Sequence, residues 1–159
     1  MFAGRNFIIS ATGLEKRRVK LTLESKFPNL NQNMATYSKT EVGRLGEEIA
    51  LDFLIKKGYR FIEKNWRFKD FGEIDIVFVK GDKLIFAEVK TQIGSSYKEP
   101  EEAVDERKIR ALSRTGWVYS ETHPELPPSL RIDVVGIILN EDLSLSKINL
   151  FENVFEENG

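Results

Sequence analysis

Two short segments with alternating apolar and polar side chains constrain the fold of this chain most. They span residues 73–79 and 84–90, and the four residues between them include Gly81 and Asp82. Glycine and aspartate tolerate the backbone angles of a two-residue hairpin turn. We therefore predict an antiparallel hairpin with Gly81 and Asp82 at its tip.

The register of this hairpin decides which charged side chains meet. With a two-residue turn Asp75 faces Glu88, Glu73 faces Lys90, and the period-two alternation puts all four on one face. The other face is then apolar and consists of Ile74, Ile76, Phe78, Ile85, Ala87 and Val89. A four-residue loop keeps this register, whereas a three-residue loop shifts Asp75 to a position opposite Ala87.

Two facing carboxylates need a partner. Facing Cβ atoms lie about 4.5–5.5 Å apart, and two carboxylates at about 5 Å repel by about 3 kcal/mol at an effective dielectric of about 20. Two acidic ligands beside Lys90 favour a hard divalent cation such as Mg²⁺. The alternative is a surface hairpin in which Glu73 pairs with Lys90, while Asp75 and Glu88 are merely solvated.

A first helix is predicted from a Thr40 cap to about Lys57, and Gly58 ends it. Glu47 falls at the edge of its apolar arc and not on the opposite, polar face. A carboxylate there needs a partner, because burying an unpaired charge is costly. Glu47 is either a boundary residue that reaches solvent or a group that points towards the same cation.

The remaining pattern predicts an α/β domain at residues 40–151 with the order α-β-β-β-α-β. Its other elements are a strand at 59–65, a helix at 100–119, a strand at 130–139 and an edge strand at 147–151. Residues 1–39 are predicted to be a poorly ordered basic tail, with Met34 as an alternative translation start. Residues 152–159 are expected to be an acidic tail that frays.

Composition excludes several functions. The 159 residues suit one domain, and they contain no cysteine, which excludes thiolate metal sites and fits a cytoplasmic location. No apolar run is long enough to span a membrane. His123 is the only histidine, so a Ser-His or Cys-His relay is disfavoured. Two close carboxylates also suit a retaining glycosidase, but the adjoining Lys90 and the small size of the protein disfavour this hypothesis.

Two basic groups are candidates for nucleic-acid contact. The net charge of −1 is not broadly basic, so binding would need a local surface. Arg107, Arg110 and Arg114 recur at helical spacing, and Arg67 and Lys69 alternate with aromatic residues before the hairpin. The alternatives are a solvated helix face and aromatic side chains that close the core.

Six sequence blocks, in this order, resemble the bacterial YraN family. They are Gly43-Arg44-Leu45-Gly46-Glu47, Asn65-Trp66-Arg67, Gly72-Glu73-Ile74-Asp75, Phe86-Ala87-Glu88-Val89-Lys90, Glu102-Ala103-Val104 and Arg131-Ile132-Asp133-Val134-Val135. The resemblance implies membership of the PD-(D/E)xK nuclease superfamily and similarity to archaeal Holliday-junction resolvases. The fold it implies is restriction-endonuclease-like, a mixed sheet with flanking helices.

The same resemblance implies the roles of the site residues. Asp75 and Glu88 would hold Mg²⁺, or Mn²⁺ in its place, and the backbone carbonyl of Val89 would complete the protein ligands. Lys90 would belong to the catalytic triad, and Glu47 would be an auxiliary acid from the first helix.

The function expected on this basis is Mg²⁺-dependent hydrolysis of phosphodiester bonds in DNA, including branched or structured forms. Gln92 stands where the family usually has arginine, and it is a further candidate for nucleic-acid contact. The expected partner is nucleic acid and not a membrane, and cutting on two strands would suggest a homodimer. The alternative is a non-catalytic module that keeps the scaffold and binds nucleic acid or protein in DNA repair or processing.

Overall fold

Six strands form one mixed sheet in the computed structural model, which describes residues 6–10, 37–94 and 98–155. The elements in chain order are β1 (Asn6–Ser10), α1 (Lys39–Lys56), β2 (Arg60–Arg67), β3 (Glu73–Lys80), β4 (Lys83–Ile93), a 3₁₀ turn (Pro100–Ala103), α2 (Glu106–Thr122), β5 (Ser129–Leu139) and β6 (Leu145–Phe151). The strand order is β1-β6-β5-β4-β3-β2.

Only β4 and β5 pair in parallel among these strands, and the other neighbours are antiparallel. A parallel pair needs a long crossover, and the 3₁₀ turn and α2 supply it. Two core layers follow from this topology, one beneath α1 and one beneath α2. The predicted class, a mixed α/β fold consistent with restriction-endonuclease-like proteins, is confirmed.

The predicted hairpin register is also confirmed. The ladder runs from Lys80 opposite Lys83 to Ile76 opposite Ala87. Gly81 has a φ of 60°, the left-handed value that the first residue of such a tight turn requires. Its neighbour Asp82 does not share this conformation, so glycine alone supplies the special backbone angle.

The side-chain alternation of β3 breaks at Asp75, and here the sequence prediction was wrong. Ile76 packs in the core beneath α1, as expected, but Ile74 packs in the core beneath α2. Opposite this point on β2, Asn65 has a φ of 57°, which interrupts the regular pleat. Glu73 lies opposite Arg67 in the β2–β3 ladder and pairs with it at 2.5 Å, and not with Lys90.

Both helices begin differently from the prediction. Ser38, and not Thr40, caps α1 through a reciprocal capping box with Glu41. The predicted helix at 100–119 is divided into the 3₁₀ turn and α2. The division falls at Asp105, whose side chain accepts a hydrogen bond of 2.9 Å from the Lys108 N–H and so starts a new helix.

Parts of both predicted tails belong to the fold. Asn6–Ser10 pairs with β6, so β6 is an interior strand and not an edge. At the other end, Val154 N–H bonds to Ile132 O at 2.9 Å, and Phe155 packs against the core beneath α2. Residues 1–5, 11–36 and 156–159 of the two predicted tails lie outside the described residues.

Candidate functional site

The site lies where β3 and β4 continue past the last hairpin pair. Asp75 and Glu88 are the next two residues in the observed register. The Val89 N–H donates a hydrogen bond of 2.8 Å to Oδ2 of Asp75. The backbone of β4 therefore holds the Asp75 carboxylate in place of an ordinary strand partner.

Glu88 is fully buried and faces two lysines. Lys90 Nζ donates a hydrogen bond of 2.7 Å to Oε1 of Glu88, and Lys108 Nζ lies 3.1 Å from Oε2. The second contact is electrostatic only, because Oε2 is a buried oxygen without a hydrogen-bond partner among the described residues. The charge of Glu88 is thus balanced from its own strand and from α2.

The electrostatics of the pair agree with this geometry. Burial raises the pKa of Asp75 to about 7, and the neighbouring Glu88 carboxylate raises it as well, against the opposing effects of the Val89 N–H and the two lysines. Burial by itself would lower the pKa of Lys90, but Glu88 and Asp75 reverse that effect, and the pKa lies above its ordinary value. Lys90 is therefore a cation at neutral pH.

Glu47 approaches the site from α1. The side-chain amide of Asn65 hydrogen-bonds to it, and burial raises the pKa of Glu47. Its charge also acts on Lys90. The approach depends on Gly46, because a Cβ there would overlap the side chain of Thr91 on β4. Gly46 thus lets α1 lie close enough to the sheet for Glu47 to reach the strand ends.

The donor set fits a cation that keeps part of its water shell. Within the described ranges, no three His, Cys, Asp or Glu side chains converge closely enough to form a metal-binding cluster. Mg²⁺, however, is often bound by only one or two carboxylates together with water and substrate phosphate. Asp75 and Glu88, with the unbonded Oε2 oxygen of Glu88, provide such a pair, so the residues present fit the metal that the resemblance implies.

The predicted nucleic-acid contacts lie on α2, at the end of β2 and in the turn between β2 and β3, and on β4. Arg107 and Arg114 are exposed on α2, whereas Arg110 pairs with Glu106 at 2.9 Å. Lys69 lies over the Phe68 ring at 5.3 Å from its centroid. Gln92 donates a hydrogen bond of 3.3 Å to the backbone carbonyl of Lys98, which ties the end of β4 to the segment that follows.

The sequence pattern assigned neither Lys108 nor Asn65 to the carboxylate pair. A signal for Lys108 exists, because it precedes Leu112, Thr115 and Tyr119 at spacings of four, seven and eleven residues. All three are buried, so Lys108 lies on the inward flank of α2. The positive φ of Asn65 has no comparable signal in the pattern of β2.

A second buried polar cluster lies elsewhere, in the family block that contains Arg131 and Asp133. Arg131 Nη2 donates hydrogen bonds of 2.7 Å to Asp133 and 2.8 Å to the Tyr59 hydroxyl. Tyr59 in turn donates to Glu152 at 2.6 Å, and Asn153 N–H donates to Asp133 at 3.0 Å. This network anchors the segment after β6, so its role is structural.

Comparisons with known proteins place the chain in one family. Residues 46–137 match the model of "Uncharacterised protein family UPF0102". A UPF0102 protein of Syntrophomonas wolfei subsp. wolfei is 40% identical over 115 residues, which cover 72% of this chain and 97% of the relative. A UPF0102 protein of Paenarthrobacter aurescens is 46% identical over 103 residues, which cover 65% of this chain and 84% of the relative.

A third relative, UPF0102 protein TTE1452 of Caldanaerobacter subterraneus subsp. tengcongensis, is 38% identical over 125 residues, 77% of this chain and 100% of its own length. No helix in the described part of the chain is long and apolar enough to cross a membrane. The family match spans α1 to β5 and so contains the whole carboxylate and lysine site. The chain therefore belongs to the UPF0102 (YraN) family, as its six sequence blocks predicted.

Proposed function

We propose that this protein is a nuclease that hydrolyses phosphodiester bonds in DNA with the help of a divalent cation. The observation that carries the proposal is the buried carboxylate of Glu88 beside Asp75, with the ammonium groups of Lys90 and Lys108 at 2.7 and 3.1 Å. Two acids next to two cations suit a metal and an anionic substrate in the same place.

Asp75 and Glu88 would hold the cation, with the Val89 carbonyl as a further ligand and Glu47 as an auxiliary acid from α1. When bound, Mg²⁺ or Mn²⁺ supplies Lewis-acid stabilisation of the charge on the phosphate and lowers the pKa of water. The Val89 N–H keeps the Asp75 carboxylate oriented in advance, so less reorganisation is needed at the moment of reaction.

The two lysines have different surroundings and so different proposed tasks. The raised pKa of Lys90 favours a permanent cation that stabilises negative charge on the phosphate, and it disfavours a general base. Lys108 projects from α2, whose outer face carries the exposed Arg107 and Arg114. We assign Lys108 to the phosphate group as well, because its ammonium group lies 3.1 Å from Glu88 on the helix that carries the exposed Arg107 and Arg114.

A cleavage assay tests this proposal. Wild-type protein is incubated with Mg²⁺ or Mn²⁺ and linear, single-stranded or four-way-junction DNA, with RNA as a parallel substrate. We expect cleavage that Asp75→Ala and Lys90→Ala each reduce by about 10²-fold or more. The matched controls are Asp82→Ala and Lys56→Ala, which change exposed residues and should retain activity. Cleavage that persists unchanged in Asp75→Ala would reject the assignment.

A second candidate is a non-catalytic module that binds nucleic acid on the same scaffold. It is favoured by one observation, namely that no cluster of three acidic or histidine ligands is found in the ranges 37–94 and 98–155. Binding of DNA without cleavage under every metal condition would support this candidate. A calorimetric Mn²⁺ titration separates the two, because only the nuclease requires a metal site that Asp75→Ala abolishes.

A further inference from the structure

The loop between β2 and β3 presents an aromatic side chain to solvent beside the site. Phe71 N–H bonds to Phe68 O at 3.0 Å and closes a tight turn. Lys69 within it has a φ of 45°, and Gly72 after it has a φ of 129°. A lysine in the left-handed region is uncommon, so the surrounding contacts must hold this turn in its shape.

A stack of rings leads from the core to this turn. Trp66 meets the buried Tyr119 edge-on with ring centroids 5.0 Å apart, and Phe68 stacks on Trp66 at 5.9 Å with an interplanar angle of 11°. Phe71 follows at 5.9 Å from Phe68 and is 49% exposed. Trp66 therefore closes the core, while Phe71 is the open end of the stack.

The turn is fixed relative to the site by α2. Thr115 donates a hydrogen bond of 3.0 Å to the backbone carbonyl of Phe71, and Lys108 on the same flank of α2 contacts Glu88. Seven residues separate Thr115 from Lys108, which is about 10.5 Å along a helix. At about 3.4 Å per nucleotide of a stacked strand, these two points of contact on α2 are about three nucleotides apart.

The turn is balanced in charge, because Asp70 offsets Lys69 and Glu73 pairs with Arg67, so the alternation of cations with rings, and not net charge, favours a nucleic acid as the occupant. Lys69 is exposed and its ammonium group lies 5.3 Å from the Phe68 centroid. Arg67 is largely exposed beside the turn, although it pairs with Glu73. Exposed rings interleaved with basic groups are the combination that single-stranded nucleic-acid sites use, with bases on the rings and phosphates on the cations.

We propose that Phe71 stacks on an unpaired base about three nucleotides from the scissile phosphate. The substrate class is then single-stranded DNA, or duplex DNA with an unpaired stretch at a branch or flap, and fully paired duplex is the poor substrate. This inference rests on the proposed function for the position of the phosphate. The stacking itself does not require cleavage.

The test is equilibrium binding of the full chain in EDTA, which prevents metal-dependent cleavage. The probes are a fluorescent single-stranded DNA, the same strand in a blunt duplex, and a series of single strands that each carry one abasic site at a different position. We expect Phe71→Ala to weaken single-strand binding by about 5- to 100-fold and duplex binding by less than about twofold. Phe71→Trp should retain the wild-type affinity, whereas Phe71→Leu should not.

The matched control is Ile55→Ala, since Ile55 is 47% exposed on α1 and should leave all affinities unchanged. An abasic site at one position of the strand should weaken wild-type binding as much as Phe71→Ala does. Phe71→Ala protein should lose no further affinity when it binds the strand with that abasic site. Equal losses on single strand and duplex would overturn the inference. A Phe71→Ala protein that binds normally but loses self-association would also overturn it, since the ring would then serve a second copy of the chain.

Failure of this inference and of the proposed function are distinguishable. If wild-type protein never cleaves DNA but Phe71 governs single-strand affinity in EDTA, the nuclease proposal fails and the stacking inference stands. If cleavage occurs and Phe71→Ala changes no affinity, the stacking inference alone is rejected.

Discussion

The Val89 N–H donates a 2.8 Å hydrogen bond to the side chain of Asp75, where a regular ladder would direct it to a backbone carbonyl. This bond joins the carboxylate of β3 to the strand that carries Glu88 and Lys90. It also coincides with the break in the alternation of β3. The departure from regular strand pairing and the candidate site thus share one position, as is common for functional sites.

Replacing Lys108 with methionine should destabilise the metal-free protein. Glu88 would keep Lys90 but lose the ammonium group at 3.1 Å, and its buried charge would be less well compensated. We expect the free energy of unfolding to fall by about 1–2 kcal/mol, measured by denaturant unfolding in EDTA. Mn²⁺ should restore part of the loss, so the stabilisation by metal should be larger in Lys108→Met than in wild type.

Lys108→Arg is the control for this measurement, because it keeps the positive charge near Glu88. Its stability in EDTA should stay close to that of wild type. A Lys108→Met protein as stable as wild type would show that the contact with Glu88 contributes nothing in the free protein.

Replacing Asp75 with asparagine should change how stability depends on pH. The pKa of Asp75 is raised to about 7 in the folded protein by burial and by Glu88. Between about pH 4 and pH 7, Asp75 therefore keeps its proton in the folded state and has lost it in the unfolded chain. The free energy of unfolding of the wild type declines as the pH rises through this range. Asparagine lacks this titration and can still accept the Val89 hydrogen bond.

At pH 4 the two proteins should be similarly stable, and at pH 8 Asp75→Asn should exceed wild type by on the order of 2 kcal/mol. Denaturant unfolding in EDTA across this range measures the difference. A difference that is constant with pH would contradict the perturbed titration of Asp75.

Replacing Gly46 with alanine should force α1 away from β4. The added Cβ would overlap Thr91, and overpacking of this kind costs about 1–3 kcal/mol. Thr91→Ala alone should cost less than about 1 kcal/mol, because its buried hydroxyl has no hydrogen-bond partner in the described residues. The double variant should recover most of the lost stability, and additive effects would argue against direct contact.

Replacing Asp133 with alanine should destabilise the second polar cluster without affecting the candidate site. Arg131 and the Asn153 N–H donate hydrogen bonds to the buried Asp133 carboxylate, and the loss of this shared acceptor should lower the free energy of unfolding by about 2–4 kcal/mol. Affinity for single-stranded DNA, measured on the folded protein, should not change. Glu141→Gln, at an exposed position, is the control for the stability measurement.

Several parts of the fold were predictable because they depend on neighbours in the chain. The hairpin register follows from Gly81 and the length of the turn. The position of Glu47 at the edge of an apolar arc followed from helical periodicity alone, and its carboxylate is half-buried in the structure. The nuclease function and the metal that the resemblance implied stay predictions until cleavage and metal binding are measured.

Other features could not be predicted from neighbouring residues in the sequence. Asn65 is left-handed, and opposite it the side chains of β3 change faces, so that Ile74 packs beneath α2 although its spacing from Ile76 fits a regular strand. The docking of residues 152–155 depends on partners at Ile132 and Tyr59, far away in the chain. An acidic composition indicated a solvated tail, and tertiary hydrogen bonds outweighed it.

The sequence by itself therefore determined the pairing of Asp75 with the strand of Glu88, because turn geometry and period-two alternation act over a few residues. Only the tertiary structure decided that Lys108 also reaches Glu88 and that Phe71 is held beside the site by Thr115. Both contacts depend on where the β4–α2–β5 crossover sets the helix on the sheet, and that placement arises from packing across the whole domain.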